Sequence, residues 1–555
     1  MVVRYILVMA LAFASIAAAG VRPIPGAGRS PVLARNGMVA ASQPLASQVG
    51  LQVLRDGGNA VDAAVATAAT LALVAPMMTG PGGDMFALAY ISATEELVGL
   101  NGSGFSPEAA NVDFFESRGL KAIPANSPFS VTVPGAVDGW ARLLEKYGTM
   151  TLAQVLQPAV EYAEQGFPVS EIFASNWAQY GAAFEDDPEF VRGYYTDGRA
   201  PKHGDVFMNR PLAWTYRQIA SGGRDAFYKG EIAERIVDRL NGLGWPVTME
   251  DLAFQHSTWV EPISTDYKGH RIYELPPNGQ GMAALEMLNL LEGYDLKASG
   301  HNSARYVHLF VEAKKLAFAD LAAWLADPAR SALPVPTIVS KEYARQRRKR
   351  IDANKAAGEV ETGISGPVQW IEGSGDTVYF AVVDKDRNAV SFINSIFHGF
   401  GSGIVVPGTG IILQNRGALF SLDRDHPNRI EGRKRPYHTI IPAMAFRHGK
   451  PWLTFGVMGG DLQPQGHVQV LLNMIEFGMN VQEAGEAPRA SHSTGGGVGL
   501  EDGMDPEVGP ALRRMGHEVR KSGPMGGYQA IEIDWERGIL LGGTDPRKDG
   551  TVAAW

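Results

Sequence analysis

Helical repeats of apolar residues dominate the chain before Thr377. Residues 45–55 have one apolar face and predict an amphipathic helix that ends at Gly57-Gly58. Residues 59–74 are apolar on every side, which predicts a buried helix. The same reasoning predicts further helices at residues 152–165, 231–243, 281–291 and 303–326.

Strand patterns replace the helical ones from Thr377 onward. Residues 378–382 and 389–393 are strand-like runs on either side of the polar segment 384–388, and they predict a β-hairpin. A further predicted strand at 452–455 is followed by Gly459-Gly460 and then by a helix at 465–477. Because helices and strands occur in separate blocks, the pattern predicts an α+β fold rather than a doubly wound sheet.

Thr377 marks the boundary between these two parts of the chain. A polar, glycine-rich segment without periodicity precedes it, and a strand begins directly after it. If the chain were cut between Asp376 and Thr377, the new N-terminal threonine would carry both a hydroxyl nucleophile and a base, its α-amino group with a pKa of about 8. The alternative is a β-branched residue that simply starts a strand.

Gly459-Gly460 is the second candidate for chemistry. Two glycines between a strand and a helix can present backbone N–H groups at one point, as an oxyanion hole requires. The alternative is a tight strand-to-helix turn without a catalytic role.

Composition limits the chemistry available to the chain. The 555 residues include no cysteine, which excludes disulfides, thiolate catalysis and cysteine-bound metals. The twelve histidines show no paired ligand spacing, so we expect no metal site, and no motif indicates another cofactor. A formal net charge of -9 argues against binding to nucleic acid.

Residues 1–19 have the pattern of an export signal. Arg4 provides the positive start, residues 5–17 are apolar, and Ala17-Ala18-Ala19 is typical of a cleavage site. The apolar run is shorter than a membrane span requires, so we expect no stable membrane insertion. The mature protein is therefore predicted to be exported, either to the periplasm or out of the cell.

Several short segments occur in a fixed order along the chain. They are Gly37-Met38-Val39-Ala40, Gly57-Gly58-Asn59-Ala60-Val61-Asp62-Ala63, Val133-Pro134-Gly135, Phe227-Tyr228-Lys229-Gly230, Thr377 with Val383-Asp384-Lys385-Asp386, Arg435-Pro436 and Asp545-Pro546-Arg547. Together they resemble the γ-glutamyltransferase (glutathione hydrolase) family of N-terminal-nucleophile hydrolases. The resemblance extends from Asn36 to the C-terminus.

The resemblance implies a four-layer αββα sandwich made from a precursor that cleaves itself between Asp376 and Thr377. It implies a large subunit of residues 20–376 and a small subunit of residues 377–555, which together form one catalytic domain. Thr377 would be the nucleophile, Gly459 and Gly460 would form the oxyanion hole, and Ser395 would hydrogen-bond the nucleophile.

Three positions that bind a γ-glutamyl group in well-known family members differ in this chain. Ser103 stands where those members carry an arginine for the α-carboxylate, and His438-Thr439 replaces a pair of serines. Ser103, His438 and Thr439 are therefore predicted to contact an acyl group of different structure.

The charge of the implied pocket has also changed. Phe397, Arg416 and Leu419 occupy the positions of an asparagine, a glutamine and an aspartate around the α-amino group. The loss of an acid and the gain of a cation predict a neutral or anionic acyl group rather than a zwitterionic one. Arg416 is predicted either to bind a substrate carboxylate with two hydrogen bonds or to be a structural ion-pair partner.

The leading functional hypothesis is a self-processed N-terminal-threonine amidohydrolase of the γ-glutamyltransferase and glutathione hydrolase type. The segment 421–435 is shorter than the one that carries the lid loop in typical transferases. A site without a lid admits water, which favours water as the acyl acceptor. The altered pocket is similar to the subgroup of glutathione hydrolase-like proteins and oxamate amidohydrolase. The alternatives are an amidase for a small acidic amide such as oxamate, an acylase, and a non-catalytic binding module.

Overall fold

Two seven-stranded antiparallel sheets form the middle of the computed structural model. The first sheet contains, in spatial order, Val32–Ala34, Ile539–Thr544, Gly527–Asp534, Lys450–Met458, Ala443–Arg447, His270–Glu274 and Ile263–Tyr267. The second sheet contains Thr551–Ala554, Met38–Ala41, Val378–Val383, Ala389–Ser395, Asp84–Ile91, Glu96–Gly102 and Thr258–Val260. Both sheets therefore combine strands from before Asp376 with strands from after it.

The structure describes residues 28–370 and 375–555. The predicted export signal, residues 1–19, lies outside the described residues. Residues 31–555 form one compact unit. Among the described helices, none combines the length and the apolar character that a membrane span needs.

The helices are distributed along the whole described chain, with most of them before Asp376. They are Pro44–Arg55, Ala60–Val74, Val112–Glu116, Ala136–Tyr147, Leu152–Gln165, Glu171–Gly181, Pro188–Tyr194, Arg210–Tyr228, Glu231–Gly242, Met249–Phe254, Gly281–Leu291, Leu296–Ser299, Ala304–Trp324, Val335–Ile338, Lys341–Arg348, Leu462–Ile475, Val481–Glu486 and Val508–Arg514. Three small sheets pair Phe167–Pro168 with Val206–Phe207, Val405–Val406 with Ile411–Ile412, and Ala490–Ser493 with Gly497–Leu500 and Val519–Lys521.

Three hydrophobic clusters separate the four layers of the fold. One cluster packs helices such as Pro44–Arg55 and Ala60–Val74 against the second sheet. Another packs Gly281–Leu291 and Ala304–Trp324 against the first sheet. The third lies between the two sheets. This is a helix–sheet–sheet–helix order, and it confirms the predicted α+β fold and the αββα sandwich.

Strand Val378–Val383 shows why the two sheets stack. Val378, Phe380 and Val382 belong to the cluster on the helix side of the second sheet, and Tyr379 and Ala381 belong to the cluster between the sheets. Successive side chains of a strand point to opposite faces, so a strand that is apolar at every position is buried on both faces. The strand that begins at Thr377 therefore lies in the interior of the sandwich.

The helix after Gly459-Gly460 begins earlier than the sequence pattern indicates. The pattern predicts residues 465–477, and the structure has Leu462–Ile475. Pro464 lies in the first turn of this helix, where a missing N–H costs nothing because that group has no intrahelical partner. The proline therefore conceals the start of the helix in the sequence without breaking it.

Asp62 connects the start of helix Ala60–Val74 to the loop after helix Ala136–Tyr147. Its buried carboxylate accepts hydrogen bonds from Asn59 N at 2.8 Å, Thr149 N at 2.9 Å and Thr149 Oγ1 at 2.6 Å. Removing it would leave buried donors without an acceptor.

We expect Asp62→Ala to lower the free energy of unfolding by about 3 kcal/mol, because buried donors lose a charged acceptor. Urea unfolding in a Thr377→Ala background measures this change on a chain expected to stay in one piece. Asp56→Ala, at an exposed position, is the matched control and should change the free energy of unfolding by less than about 0.5 kcal/mol. Equal losses for the two variants would contradict the assignment.

Candidate active site

Thr377 lies directly before strand Val378–Val383 in the uncut chain. It is buried, with 1% of its surface exposed. Its hydroxyl donates a hydrogen bond to the Oγ of Ser395, at 3.2 Å. Ser395 ends the neighbouring strand, and the antiparallel pairing of Val378 with Asn394 brings the two hydroxyl residues to the same end of the sheet.

The Ser395 hydroxyl connects Thr377 to the bond predicted to be cut. Its Oγ donates to the carbonyl oxygen of Asp376 at 3.2 Å. It also accepts from the backbone N–H of Phe397 and from Nη2 of Arg416, both at 2.9 Å. One hydroxyl therefore contacts the predicted nucleophile, the carbonyl of the predicted scissile bond and a cation.

Phe397 holds the backbone on the other side of this hydroxyl. Its φ angle of 77° lies in the left-handed region, which costs a non-glycine residue about 1 kcal/mol or more. This conformation lets its N–H donate to Ser395 while its carbonyl accepts from Asp376 N at 2.8 Å. The Phe397 ring centre lies 4.4 Å from the guanidinium carbon of Arg416, a cation–π contact.

The side chain of Asp376 is held by groups from two distant parts of the chain. Lys548 Nζ lies 3.3 Å from its Oδ1 and 3.1 Å from its Oδ2, and the Tyr180 hydroxyl donates to Oδ2 at 3.3 Å. Oδ1 also accepts from the backbone N–H of Thr377 at 3.0 Å. Burial, together with the neighbouring Asp376, raises the pKa of Tyr180, so its phenol remains a hydrogen-bond donor.

Arg416 is a fully buried cation beside the two hydroxyls of the site. Its Nη1 donates to Thr439 Oγ1 at 2.7 Å and its Nη2 to Ser395. Burial lowers the pKa of Arg416 to about 9, so the guanidinium is still protonated at neutral pH. In the described part of the chain its Nε has no hydrogen-bond partner. These two hydrogen bonds of Arg416 go to hydroxyl groups, and the carboxyl groups of Asp84 and Asp461 lie close enough to raise its pKa against the effect of burial.

Asp84 brings a buried carboxyl group to the same region. Its Oδ1 accepts from the backbone N–H groups of Gly104 at 2.9 Å and Gly135 at 3.1 Å, and from Gln414 Nε2 at 2.8 Å. Its Oδ2 lies 3.1 Å from His438 Nε2. Burial raises the pKa of Asp84 to about 7, although these donors and the nearby Arg416 lower it.

His438 is neutral and has the tautomer that suits Asp84. Its Nδ1 accepts from the backbone N–H of Ile440 at 3.3 Å, so its Nε2 carries the hydrogen that points to Asp84. Burial, with Arg416 and Arg435 nearby, lowers the pKa of His438 well below its usual range. Both ring nitrogens are engaged, which leaves neither free for the predicted substrate contact in the uncut chain.

The four predicted substrate contacts therefore fall into two groups. Arg416 and Thr439 belong to the hydrogen-bond network of Thr377. Ser103 and His438 are fully buried and have other partners. The Ser103 hydroxyl accepts from Asn278 Nδ2 at 3.1 Å.

Gly459 and Gly460 form the turn between strand Lys450–Met458 and helix Leu462–Ile475. Their φ angles are 118° and 58°, values that favour glycine over residues with a Cβ. The side chain of Gln280 donates to the carbonyl oxygens of Gly460 at 2.9 Å and Thr439 at 2.6 Å. The turn is thereby tied to Thr439, which contacts Arg416.

One cluster of possible metal ligands consists of His308, Glu312 and His517, whose ligand atoms lie within 4.8 Å of one another. A search for paired histidines overlooks it, because one helix carries His308 and Glu312 while His517 is distant in sequence. His308 Nδ1 and His517 Nε2 are 2.8 Å apart, and Glu312 accepts from Lys315 Nζ at 2.8 Å and Ala357 N at 3.0 Å. The three side chains are thus linked to one another or to neighbouring groups by hydrogen bonds.

Sequence reasoning overlooked Asp84, Tyr180 and Lys548. Asp84 directly follows a second glycine pair, Gly82-Gly83, which has the same ambiguity as Gly459-Gly460, and Lys548 directly follows the matching segment Asp545-Pro546-Arg547, so both positions had a signal in the sequence. Tyr180 had none, because it reaches Asp376 only through the fold.

The four-layer αββα sandwich is the fold of the N-terminal-nucleophile hydrolases, and Thr377 lies buried at the start of one of its interior strands. A family model described as Gamma-glutamyltranspeptidase matches residues 46–555. The chain belongs to this family, and it is a self-processing amidohydrolase.

Three relatives show how closely the chain follows this family. The glutathione hydrolase-like YwrD proenzyme of Bacillus subtilis is 40% identical over 94% of this chain and 99% of its own length. The oxamate amidohydrolase proenzyme of Klebsiella pneumoniae is 35% identical over 94% of this chain and 98% of its own length. A crystal structure of cephalosporin acylase from Bacillus halodurans has a TM-score of 0.90 and 42% identity, covering 96% of this chain and 98% of that one.

The raised pKa of Asp84 predicts a pH-dependent contribution to stability. A carboxyl group whose pKa is raised by folding stabilises the fold below its unfolded pKa of about 4 and loses this contribution as the pH rises to about 7. In a Thr377→Ala background, we expect the chain with Asp84 to lose about 4 kcal/mol relative to the chain with Asp84→Asn between pH 4 and pH 7.5. Urea unfolding at several pH values measures this difference. Parallel pH profiles would contradict it.

Proposed function

We propose that Thr377 is the nucleophile of this amidohydrolase, and that self-cleavage divides the chain into a large subunit of residues 20–376 and a small subunit of residues 377–555. The observation that carries this proposal is the chain of hydrogen bonds from Thr377 Oγ1 through Ser395 Oγ to the carbonyl oxygen of Asp376, 3.2 Å at each step. Both subunits contribute strands to one catalytic domain. We further propose that residues 1–19 direct export, to the periplasm or out of the cell.

Self-cleavage begins at the hydroxyl of Thr377. Its Oγ1 attacks the carbonyl carbon of Asp376, and the bond between that carbon and the Thr377 nitrogen breaks. The nitrogen gains the proton that the hydroxyl loses, which gives an ester and a free α-amine. Water then hydrolyses the ester. This step yields a new main-chain carboxylate at Asp376 and restores the Thr377 hydroxyl. Ser395 assists by donating to the carbonyl oxygen.

Turnover of an amide uses the same hydroxyl with the new α-amine as its base. The amine accepts the hydroxyl proton as Oγ1 attacks the amide carbonyl, and it returns the proton to the leaving nitrogen. Water then hydrolyses the acyl-enzyme. Gly459 and Gly460 are proposed to donate their N–H groups to the oxyanion, a contribution worth about 10²–10³ in turnover for each donor.

The substrate is proposed to be an amide with a small anionic acyl group. The buried charge of Arg416 creates a positive potential beside the Thr377 hydroxyl, and Leu419 provides no counter-charge for a substrate ammonium. The relative named oxamate amidohydrolase is consistent with this choice. A γ-glutamyl donor is the second candidate, since the family and several relatives are named for it.

Thr377→Ala should remain one chain, because it has no hydroxyl to attack Asp376. Thr377→Ser should be cut at the same bond, since serine also supplies a hydroxyl. Intact mass measurement and N-terminal sequencing distinguish these results. Thr362→Ala, which changes a threonine outside the cleavage junction, is the control and should be cut like wild type. Cleavage of Thr377→Ala would rule out Thr377 as the nucleophile.

Cleaved wild type should hydrolyse an anionic acyl anilide with a kcat/KM about tenfold or more above that for a γ-glutamyl anilide, because Arg416 favours the anion and Leu419 offers no counter-charge to the ammonium. Arg416→Met should reduce the preference by lowering turnover of the anionic substrate. Release of the aniline measures both rates. Faster hydrolysis of the γ-glutamyl anilide would favour the second candidate.

A further inference from the structure

Asp376 is the first acyl group that Thr377 attacks. Its carbonyl carbon is the electrophile of self-cleavage, and in later turnover the carbonyl of a substrate takes the same place before the same hydroxyl. The surroundings of Asp376 in the uncut chain therefore show which groups face the acyl part of a substrate. This reasoning rests on the proposed function of Thr377.

The surroundings of Asp376 include a cation, the side chain of Lys548, for which the sequence predicts no role. Lys548 Nζ lies 3.1 Å and 3.3 Å from the two carboxylate oxygens of Asp376, and Tyr180 donates to one of them at 3.3 Å. Lys548 and Asp376 are buried, with 9% and 10% of their side-chain surfaces exposed. A buried lysine that loses its carboxylate partner favours a new anion strongly, since an unpaired buried charge is costly.

Lys548 and Tyr180 are held in place together. Asp549, the next residue after Lys548, accepts from the backbone N–H groups of Ile172 at 3.1 Å and Phe173 at 3.2 Å, in the first turn of helix Glu171–Gly181. The same helix carries Tyr180 in its last turn. One loop therefore supplies the lysine and also fixes the helix that supplies the phenol.

The loop that carries Lys548 is itself anchored by buried ion pairs. Asp545 Oδ2 accepts from Arg489 Nη2 at 2.7 Å, and Arg547 Nε donates to Glu501 at 2.7 Å. These contacts are independent of Asp376, so they remain when Asp376 becomes the C-terminus of the large subunit and leaves.

We propose that Lys548 and Tyr180 bind the distal carboxylate of the substrate acyl group, in the place that the Asp376 carboxylate occupies before cleavage. In Asp376 two carbons separate the carbonyl carbon from the carboxylate carbon. The matching acyl group is that of a four-carbon dicarboxylic acid monoamide, a succinyl amide. Lys548 is thus a specificity-determining residue of the acyl site, and it acts together with the positive potential of Arg416 beside the Ser395 hydroxyl.

The test compares two anilides with the same four-carbon acyl chain, succinyl p-nitroanilide and butyryl p-nitroanilide, on purified cleaved protein. Wild type should prefer the succinyl compound by about tenfold or more in kcat/KM, the size expected for a charged hydrogen bond. Lys548→Met should lose most of this preference through a raised KM, with the butyryl rate changed less than about threefold. Lys548→Arg should restore part of it.

Lys521→Met is the matched control, because it removes a lysine that is 76% exposed and pairs with Asp502 at the surface. It should leave both anilides at wild-type rates. If Lys548→Met is not cut, Tyr180→Phe provides the second variant, and its KM should rise for the succinyl compound alone. Equal losses on both anilides, or a wild type that does not distinguish them, would overturn the role of Lys548. Failure of wild type to cut itself or to hydrolyse either anilide would instead refute the proposed function.

Discussion

The hydrogen bonds that converge on the Ser395 hydroxyl set the geometry of the whole site. They join Thr377, the carbonyl of Asp376, the backbone of Phe397 and the guanidinium of Arg416. A hydroxyl can occupy this position only because strand Ala389–Ser395 ends in register with the strand after Thr377. The left-handed backbone of Phe397 then turns the chain back toward the cleavage junction.

The two sheets keep this arrangement in place if the chain is cut. Strand Val378–Val383 pairs with Met38–Ala41 on one edge and with Ala389–Ser395 on the other, and it is buried on both faces. A cut before Thr377 removes none of these interactions. The new N-terminus would therefore remain beside Ser395, and the energy that orients the nucleophile would come from the folding of the precursor.

Local patterns in the sequence were sufficient for the layers of the fold but not for the electrostatics of the site. The strand-like run after Thr377 and the all-apolar segment 59–74 predict a strand and a buried helix, and both are present. The contacts of Asp84 and Lys548 depend on segments far apart in the chain, so no periodicity could reveal them. Resemblance located Arg416 and His438, but only the fold shows that they bind Ser395 and Asp84.

Charge at the cleavage junction connects self-processing to substrate choice, because the same hydroxyl acts on Asp376 first and on an amide afterwards. The most direct measurement is intact mass spectrometry of cleaved protein quenched during turnover of succinyl p-nitroanilide, followed by peptide mapping. The account predicts a succinyl adduct on the peptide that begins at Thr377, carried as an ester by its side chain. An adduct on any other residue, or turnover in a protein that retains the Asp376–Thr377 bond, would contradict it.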